Sequence, residues 1–108
     1  MTSLKISTST SATDVPVIAA SGELDVASGD ELVAAFESVV GTADTIALDL
    51  SGITFMDSTG LGALIKMRNH MVDAAGTLVL QDVSTAVYRV LVLVGMDDLF
   101  GVEHQVTE

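Results

Sequence analysis

The chain has 108 residues, 49% of them hydrophobic and 18% charged, which is the balance of a single folded domain and argues against disorder. Fifteen acidic residues against four basic ones give a net charge of -11, which disfavours nucleic acid and anionic membranes as partners and favours a basic protein surface. The sequence has no cysteine, no basic-then-apolar leader and no apolar run of membrane-spanning length, which excludes thiolate chemistry and predicts a soluble cytoplasmic protein.

The first forty residues predict a β-hairpin followed by a helix. Polar and apolar residues alternate over residues 4–9, and an extended pattern resumes over residues 15–20 after a polar turn. Residues 25–30 then supply side chains that can cap a helix, and Gly41 is placed to end it. The predicted inward face of this helix consists of Leu32, Phe36, Val39 and Val40.

The middle of the chain predicts a buried strand, a connecting loop and a second helix. Residues 45–50 are mostly apolar, and we expect residues 51–57 to form the loop that follows them. The second helix should end before Gly76, ahead of a strand over residues 77–81, and Gly62 should let this helix approach its neighbours closely. Its predicted inward stripe consists of Leu61, Leu64, Ile65, Arg68 and Val72.

The last third of the chain predicts a helix and a short final strand. Residues 84–94 fit a strand by their valine content and a helix by the spacing of their apolar residues; we interpret them as a helix, which Ser84 can cap. We expect the final strand over residues 99–103. The alternation of strands and helices predicts an α/β fold, in one domain over residues 1–108, with a mixed β-sheet of about four to five strands and helices packed against it.

The stretch Asp57-Ser58-Thr59-Gly60 lies where the second predicted helix begins. The first N–H groups of a helix lack backbone partners and carry partial positive charge. Asp57 can cap the helix by accepting from the N–H of Thr59 or Gly60, a contact worth roughly 1 kcal/mol. A phosphorylated Ser58 would bring a dianion close to the same donors. Taken alone, the motif favours the plain helix cap over a regulatory site.

A longer stretch around this motif carries a family resemblance. The run from Thr45 to Leu64 resembles the signature of the STAS domain family, specifically the bacterial anti-sigma factor antagonists. Gly22-Glu23-Leu24-Asp25 and residues 90–100 resemble two further segments of that family in order and spacing. The resemblance therefore spans nearly the whole chain, and it implies a STAS-like fold.

The resemblance also implies a phosphorylation switch. In that family the unphosphorylated antagonist binds an anti-sigma factor that is itself a serine kinase, and so frees a sigma factor. The kinase phosphorylates the serine that follows the aspartate, which implies Ser58 as the phosphoacceptor, Thr59 as a less favoured one, and a serine phosphatase that resets Ser58. The implied partner-binding residues are Asp25, Asp57, Ser58, Thr59 and Gly60.

Asp25 has two interpretations, and the sequence leaves both open. The resemblance matches Asp25 to an acidic residue that flanks the phosphorylation site, whereas its position before the first helix suits an N-cap. A phosphate on Ser58 would add about -1.5 to -2 charge beside Asp57. An unmatched charge buried in an interface costs several kcal/mol. A loss of only ~3 kcal/mol would weaken binding about a hundredfold, which is enough for a switch.

Two other functions are alternatives. A STAS adaptor subunit of a signalling assembly or of a membrane transport system would involve no phosphoryl transfer. An enzyme with Ser58 as nucleophile is disfavoured, because no positioned base is evident and the helix-start sequence is unlike a nucleophile elbow. Nucleotide binding is weakly supported, because Gly60-Leu61-Gly62 lacks the lysine of a P-loop. We expect no enzymatic activity, no cofactor and no metal, since His70 and His104 have no second ligand at metal spacing.

Some apolar residues could either fill the core or contact a partner. Core filling is favoured for Met56, Met67 and Met71. Tyr88, Val92 and Leu93 fall outside the apolar stripe of the third predicted helix, which indicates either association or enclosure by neighbouring segments. The oligomeric state is therefore left open between a monomer and a weak dimer.

Overall fold

The computed structural model describes residues 4–101, which form four strands and three helices. The strands are β1 (Lys5–Thr10), β2 (Pro16–Leu24), β3 (Thr45–Met56) and β4 (Thr77–Val83), and the helices are α1 (Val26–Val39), α2 (Ser58–Asp73) and α3 (Thr85–Leu93). β1 and β2 form an antiparallel hairpin, and β2, β3 and β4 are parallel in the order β1-β2-β3-β4. The predicted α/β fold with a mixed sheet is confirmed.

The two faces of the sheet differ in burial. Ile18, Leu48 and Leu80 lie side by side on adjacent strands and are buried in the core. On the opposite face Ser7 and Val79 are exposed, so no described helix covers that face. All three helices contribute to the one core cluster, through residues that include Leu32, Phe36, Leu64, Val87 and Leu91. Among the helices within residues 4–101, none has the length and apolarity needed to cross a bilayer.

The expected loop over residues 51–57 is wrong, because β3 continues to Met56. Its second half pairs in parallel with the end of β2, where Met56 lies opposite Leu24, after a register shift in the ladder. Gly52 makes this pairing possible, since a Cβ there would lie 2.6 Å from the Cβ of Ser21. A serine and a glycine in sequence suggest a turn, but pairing with a distant strand decides the conformation.

The final strand expected over residues 99–103 is wrong for its described part. Residues 97–101 form turns, and the Gly101 N–H donates to the Asp98 carbonyl at 3.1 Å. Gly101 has a φ of +67°, which belongs to the left-handed region and interrupts an extended strand. Phe100 is buried, so the turn packs this ring into the core. Residues 102–103 lie outside the described residues.

The inward face of α2 is only partly the predicted one. Leu61 and Leu64 are buried as expected, but Val72 is 51% exposed. Met67 and Met71 are buried instead, which rotates the core-facing stripe relative to the prediction. The prediction of these two methionines as core filler is confirmed, as it is for the buried Met56.

Candidate functional site

Two parallel strands end at the same edge of the sheet, and each leads into a helix. At the ends of β2 and β3, Leu24 and Met56 lie opposite each other. Each strand is followed by an aspartate, Asp25 or Asp57, which is the N-cap of the next helix. The Asp57 N–H donates to the Leu24 carbonyl at 3.3 Å, which joins the two turns directly. The fold therefore brings both turns to one edge of the sheet. The expectation that Gly60 binds the partner is wrong, because Gly60 is buried on the core side of α2.

The contact between the two turns depends on Gly60. A Cβ at Gly60 would lie 2.5 Å from the Leu24 carbonyl oxygen, closer than two such atoms can approach. Gly62 was expected to provide the close approach, and this expectation is wrong, because a Cβ there would meet nothing within 4 Å. The reason is the helical period: Gly60 is buried with Leu64 on the core side of α2, whereas Gly62 is exposed.

Asp57 caps α2, as its position predicts. Its Oδ1 atom accepts from the N–H groups of Thr59 and Gly60, each at 3.0 Å. Ser58 is the first residue of α2, and both Ser58 and Thr59 are exposed. Within residues 4–101 the Ser58 hydroxyl makes no hydrogen bond. The hydroxyl is therefore accessible to another protein, while Asp57 already occupies two of the donors at the helix start.

Asp25 caps α1 through a tighter network, which confirms its capping role. Its Oδ1 atom accepts from the N–H groups of Ala27 and Ser28, each at 3.1 Å. These hydrogen bonds, first of all those from Ser28, hold the pKa of the Asp25 carboxyl below its usual value of 3.8. The Ser28 hydroxyl also donates to the Glu23 carbonyl at 2.6 Å, and it accepts from the Asp25 N–H at 3.0 Å.

Ser28 lies within residues 25–30, which were predicted to cap α1, but its role as a positioning residue was not predicted. It is only 3% exposed, and it forms a capping box with Asp25. The signal was present in the sequence, because a capping residue followed three positions later by a second polar side chain is typical of a helix start. Ser28 thus fixes the shape of the β2–α1 turn beside Ser58.

Two exposed apolar residues near this edge were also missed. Val26, the first residue of α1, is 70% exposed, and Phe55, the last residue but one of β3, is 48% exposed. The sequence carries a signal for Val26, since it follows Asp25 as Ser58 follows Asp57. Its exposure depends on the tertiary packing, so the pattern alone does not reveal it.

Two grooves on the described part of the chain lie apart from Ser58. A groove of about 250 Å³ lies beside Lys5 and Asp49, and another of about 340 Å³ lies beside Asp44. Neither groove is lined by Ser58 or Asp57. The described residues contain no group of three or more His, Cys, Asp and Glu side chains arranged to hold a metal ion.

This chain matches a known protein family over most of its length. A family model described as "Mlab, STAS domain" matches residues 7–102. The chain belongs to the STAS domain family. The resemblance seen in the sequence is therefore confirmed at the level of the family.

Solved structures of anti-sigma factor antagonists share this STAS fold. An anti-sigma factor antagonist from Mycobacterium paratuberculosis is 25% identical, with 94% of this chain and 86% of that chain covered and a TM-score of 0.79. The anti-sigma factor antagonist SpoIIAA in its unphosphorylated form is 21% identical, with 93% of this chain and 100% of that chain covered and a TM-score of 0.70. The phosphorylated form of the Bacillus cell fate determinant SpoIIAA is 23% identical, with 87% of this chain and 86% of that chain covered and a TM-score of 0.69.

Proposed function

We propose that this STAS domain is an anti-sigma factor antagonist whose unphosphorylated form binds an anti-sigma factor serine kinase and releases the sigma factor. Phosphorylation of Ser58 switches this binding off, and a serine phosphatase restores it. The observation that carries the proposal is the exposed Ser58 hydroxyl, free of hydrogen bonds within residues 4–101, at the start of α2 beside Asp57. The role is regulatory rather than enzymatic, and it is exercised in the cytoplasm.

The local charges explain how phosphorylation would end binding. Within residues 4–101 the carboxylates of Asp25 and Asp57 bond only backbone N–H groups and the Ser28 hydroxyl, so no Lys or Arg neutralises them. A phosphate on Ser58 adds about -1.5 to -2 charge to this acidic surface. Asp57 already accepts from two helix N–H groups, so the phosphate projects toward the partner, where an unmatched buried charge costs several kcal/mol.

Mass spectrometry after a kinase reaction tests the site assignment. The full chain is incubated with ATP and an anti-sigma factor serine kinase from the same organism, and the phosphorylated peptide is sequenced. We expect one phosphate, on Ser58, and its loss in Ser58→Ala. Thr59→Ala is the matched control, because it removes the neighbouring exposed hydroxyl and should leave phosphorylation intact. Full phosphorylation of Ser58→Ala would contradict the proposal.

The second candidate is a STAS adaptor in a signalling assembly or a membrane transport system, with no switch. It is favoured by apolar residues at the end of α3: Leu93 is 85% exposed, and Val92 and Val94 are each 45% exposed. Such a patch offers a contact surface that is independent of Ser58. Equal partner affinity of the wild type, Ser58→Ala and Ser58→Glu would favour this adaptor over the switch.

A further inference from the structure

Val26 occupies in α1 the position that Ser58 occupies in α2. Each is the first residue of its helix, each follows an aspartate N-cap, and the strand ends before them are paired in parallel. The first turns of the two helices are also close to each other, since a Cβ built on Gly29 would lie 3.9 Å from the Thr59 carbonyl oxygen. Packed helix axes lie about 8–10 Å apart. Val26 and Ser58 therefore lie at the same edge of the domain, at the starts of two neighbouring helices.

Val26 and Phe55 are exposed although both side chains are apolar. Val26 is 70% exposed and Phe55 is 48% exposed. Neither belongs to the core cluster or to the partly buried residues packed against it. Phe55 lies opposite Glu23 in the β2–β3 pairing, directly before the turn that leads to Ser58. Apolar side chains surrounded by charged ones are typical of the centre of a protein–protein contact.

The charges around these apolar residues restrict the kind of partner. Glu23 lies near the end of β2, Asp25 and Asp57 are the N-caps that follow β2 and β3, and the whole chain carries a net charge of -11. Complementary charge steers association and selects against wrong partners. The surface therefore fits a protein with basic side chains around an apolar patch, and the same carboxylates disfavour an anionic lipid surface.

We propose that Val26 and Phe55 are the apolar anchors of the partner-binding surface, and that they contact an apolar patch bordered by basic side chains on the partner protein. This inference rests on the proposed function, because the partner is the kinase that recognises unphosphorylated Ser58. It deepens that function by assigning binding affinity to side chains that take no part in the phosphorylation itself.

Calorimetric titration of the full-length chain with the kinase that phosphorylates Ser58 tests the inference. Val26→Glu should weaken binding more than about a hundredfold, because it buries a charge in the contact. Phe55→Ser and the near-isosteric Val26→Thr should each weaken it by roughly tenfold through loss of apolar contact. A carboxylate in the first turn of a helix is favourable to the helix, so Val26→Glu should fold normally, which its melting temperature checks.

Val79→Glu is the matched control, since it makes the same chemical change at an exposed valine on the uncovered face of the sheet. Val79 lies opposite Ala47 near the beginning of β3, whereas Phe55 lies at the other end of that strand, so this variant should bind within about twofold of the wild type. If the wild type binds and is phosphorylated while Val26→Glu and Phe55→Ser bind equally well, the inference is overturned and the switch stands. If Val79→Glu weakens binding as much as Val26→Glu does, the inference is also overturned. If the wild type itself neither binds the kinase nor is phosphorylated, the proposed function and this inference are both overturned.

Discussion

Gly60 and Gly62 are two positions apart in α2, yet their surroundings are opposite. A Cβ at Gly60 would lie 2.5 Å from the Leu24 carbonyl, whereas one at Gly62 would meet nothing within 4 Å. We expect Gly60→Ala to lower the free energy of unfolding by about 2 kcal/mol or more, because backbone must move to admit the methyl group. Gly62→Ala should raise it by about 0.5–1 kcal/mol, since alanine is the better helix former. Urea unfolding of both variants checks this, and similar effects at the two sites would contradict the packing described.

The hydrogen bonds of Asp25 predict a pH dependence of stability. Because the folded pKa of this carboxyl is lowered from 3.8, its contribution to stability is complete above that value and is lost as the pH falls through the folded pKa. Asp25→Asn keeps a good N-cap but removes the charge. The variant should be less stable than the wild type at neutral pH, and the difference should shrink as the pH falls below 3.8. Urea unfolding at neutral and acid pH measures it; a difference that is constant with pH would argue against the network.

At the scale of single residues, the sequence predicts what depends on chain neighbours. The Asp57 cap and the exposure of Ser58 follow from a capping residue directly before a helix. The role of Gly60 does not follow, because it depends on the Leu24 carbonyl at the end of β2. The exposure of Val26 likewise depends on how α1 packs against α2. The role of a residue was therefore predicted well where it depends on residues nearby in the chain. It was predicted poorly where it depends on a residue distant in the chain.

At the scale of secondary structure, α2 and α3 end in the same way but with different residues. Ala75 has a φ of 61° and Gly95 a φ of 75°, and each lies just past its helix in the hydrogen-bonding pattern that favours glycine. Ala75→Gly should therefore raise the free energy of unfolding by about 0.5–1 kcal/mol, and Gly95→Ala should lower it by a similar amount. Thermal unfolding of the pair is the measurement. A destabilised Ala75→Gly would show that the left-handed conformation carries no strain there.

The same contrast between local and distant contacts decides which elements were predictable. The valine-rich residues 84–94 form a helix as predicted, because the Ser84 hydroxyl caps it by accepting from the Val87 N–H at 3.3 Å. The second half of β3 was mistaken for a loop, because its pairing with β2 is not visible in residues 51–57 themselves. Helix starts carry their signals in adjacent residues, whereas strands depend on a partner strand.

At the scale of the whole molecule, the topology assembles the candidate site. Asp25 and Ser58 are distant in the chain, but parallel pairing of β2 and β3 brings their turns to one edge of the sheet. The family resemblance in the sequence correctly predicted the STAS fold. The resemblance also matched the two turns to segments of the family. It did not predict the surface that the two turns form together, since that surface is produced by the packing of α1 against α2.

The affinity of the kinase for the phosphorylated and unphosphorylated full-length chain tests the central claim most directly. The chain is phosphorylated at Ser58 by that kinase and purified, and both forms are titrated under the same conditions, with Ser58→Ala as a reference that should bind like the unphosphorylated form. We predict that phosphorylation weakens binding by at least about a hundredfold, because it places a dianion beside carboxylates that no Lys or Arg within residues 4–101 neutralises. Equal affinity of the two forms would contradict the switch.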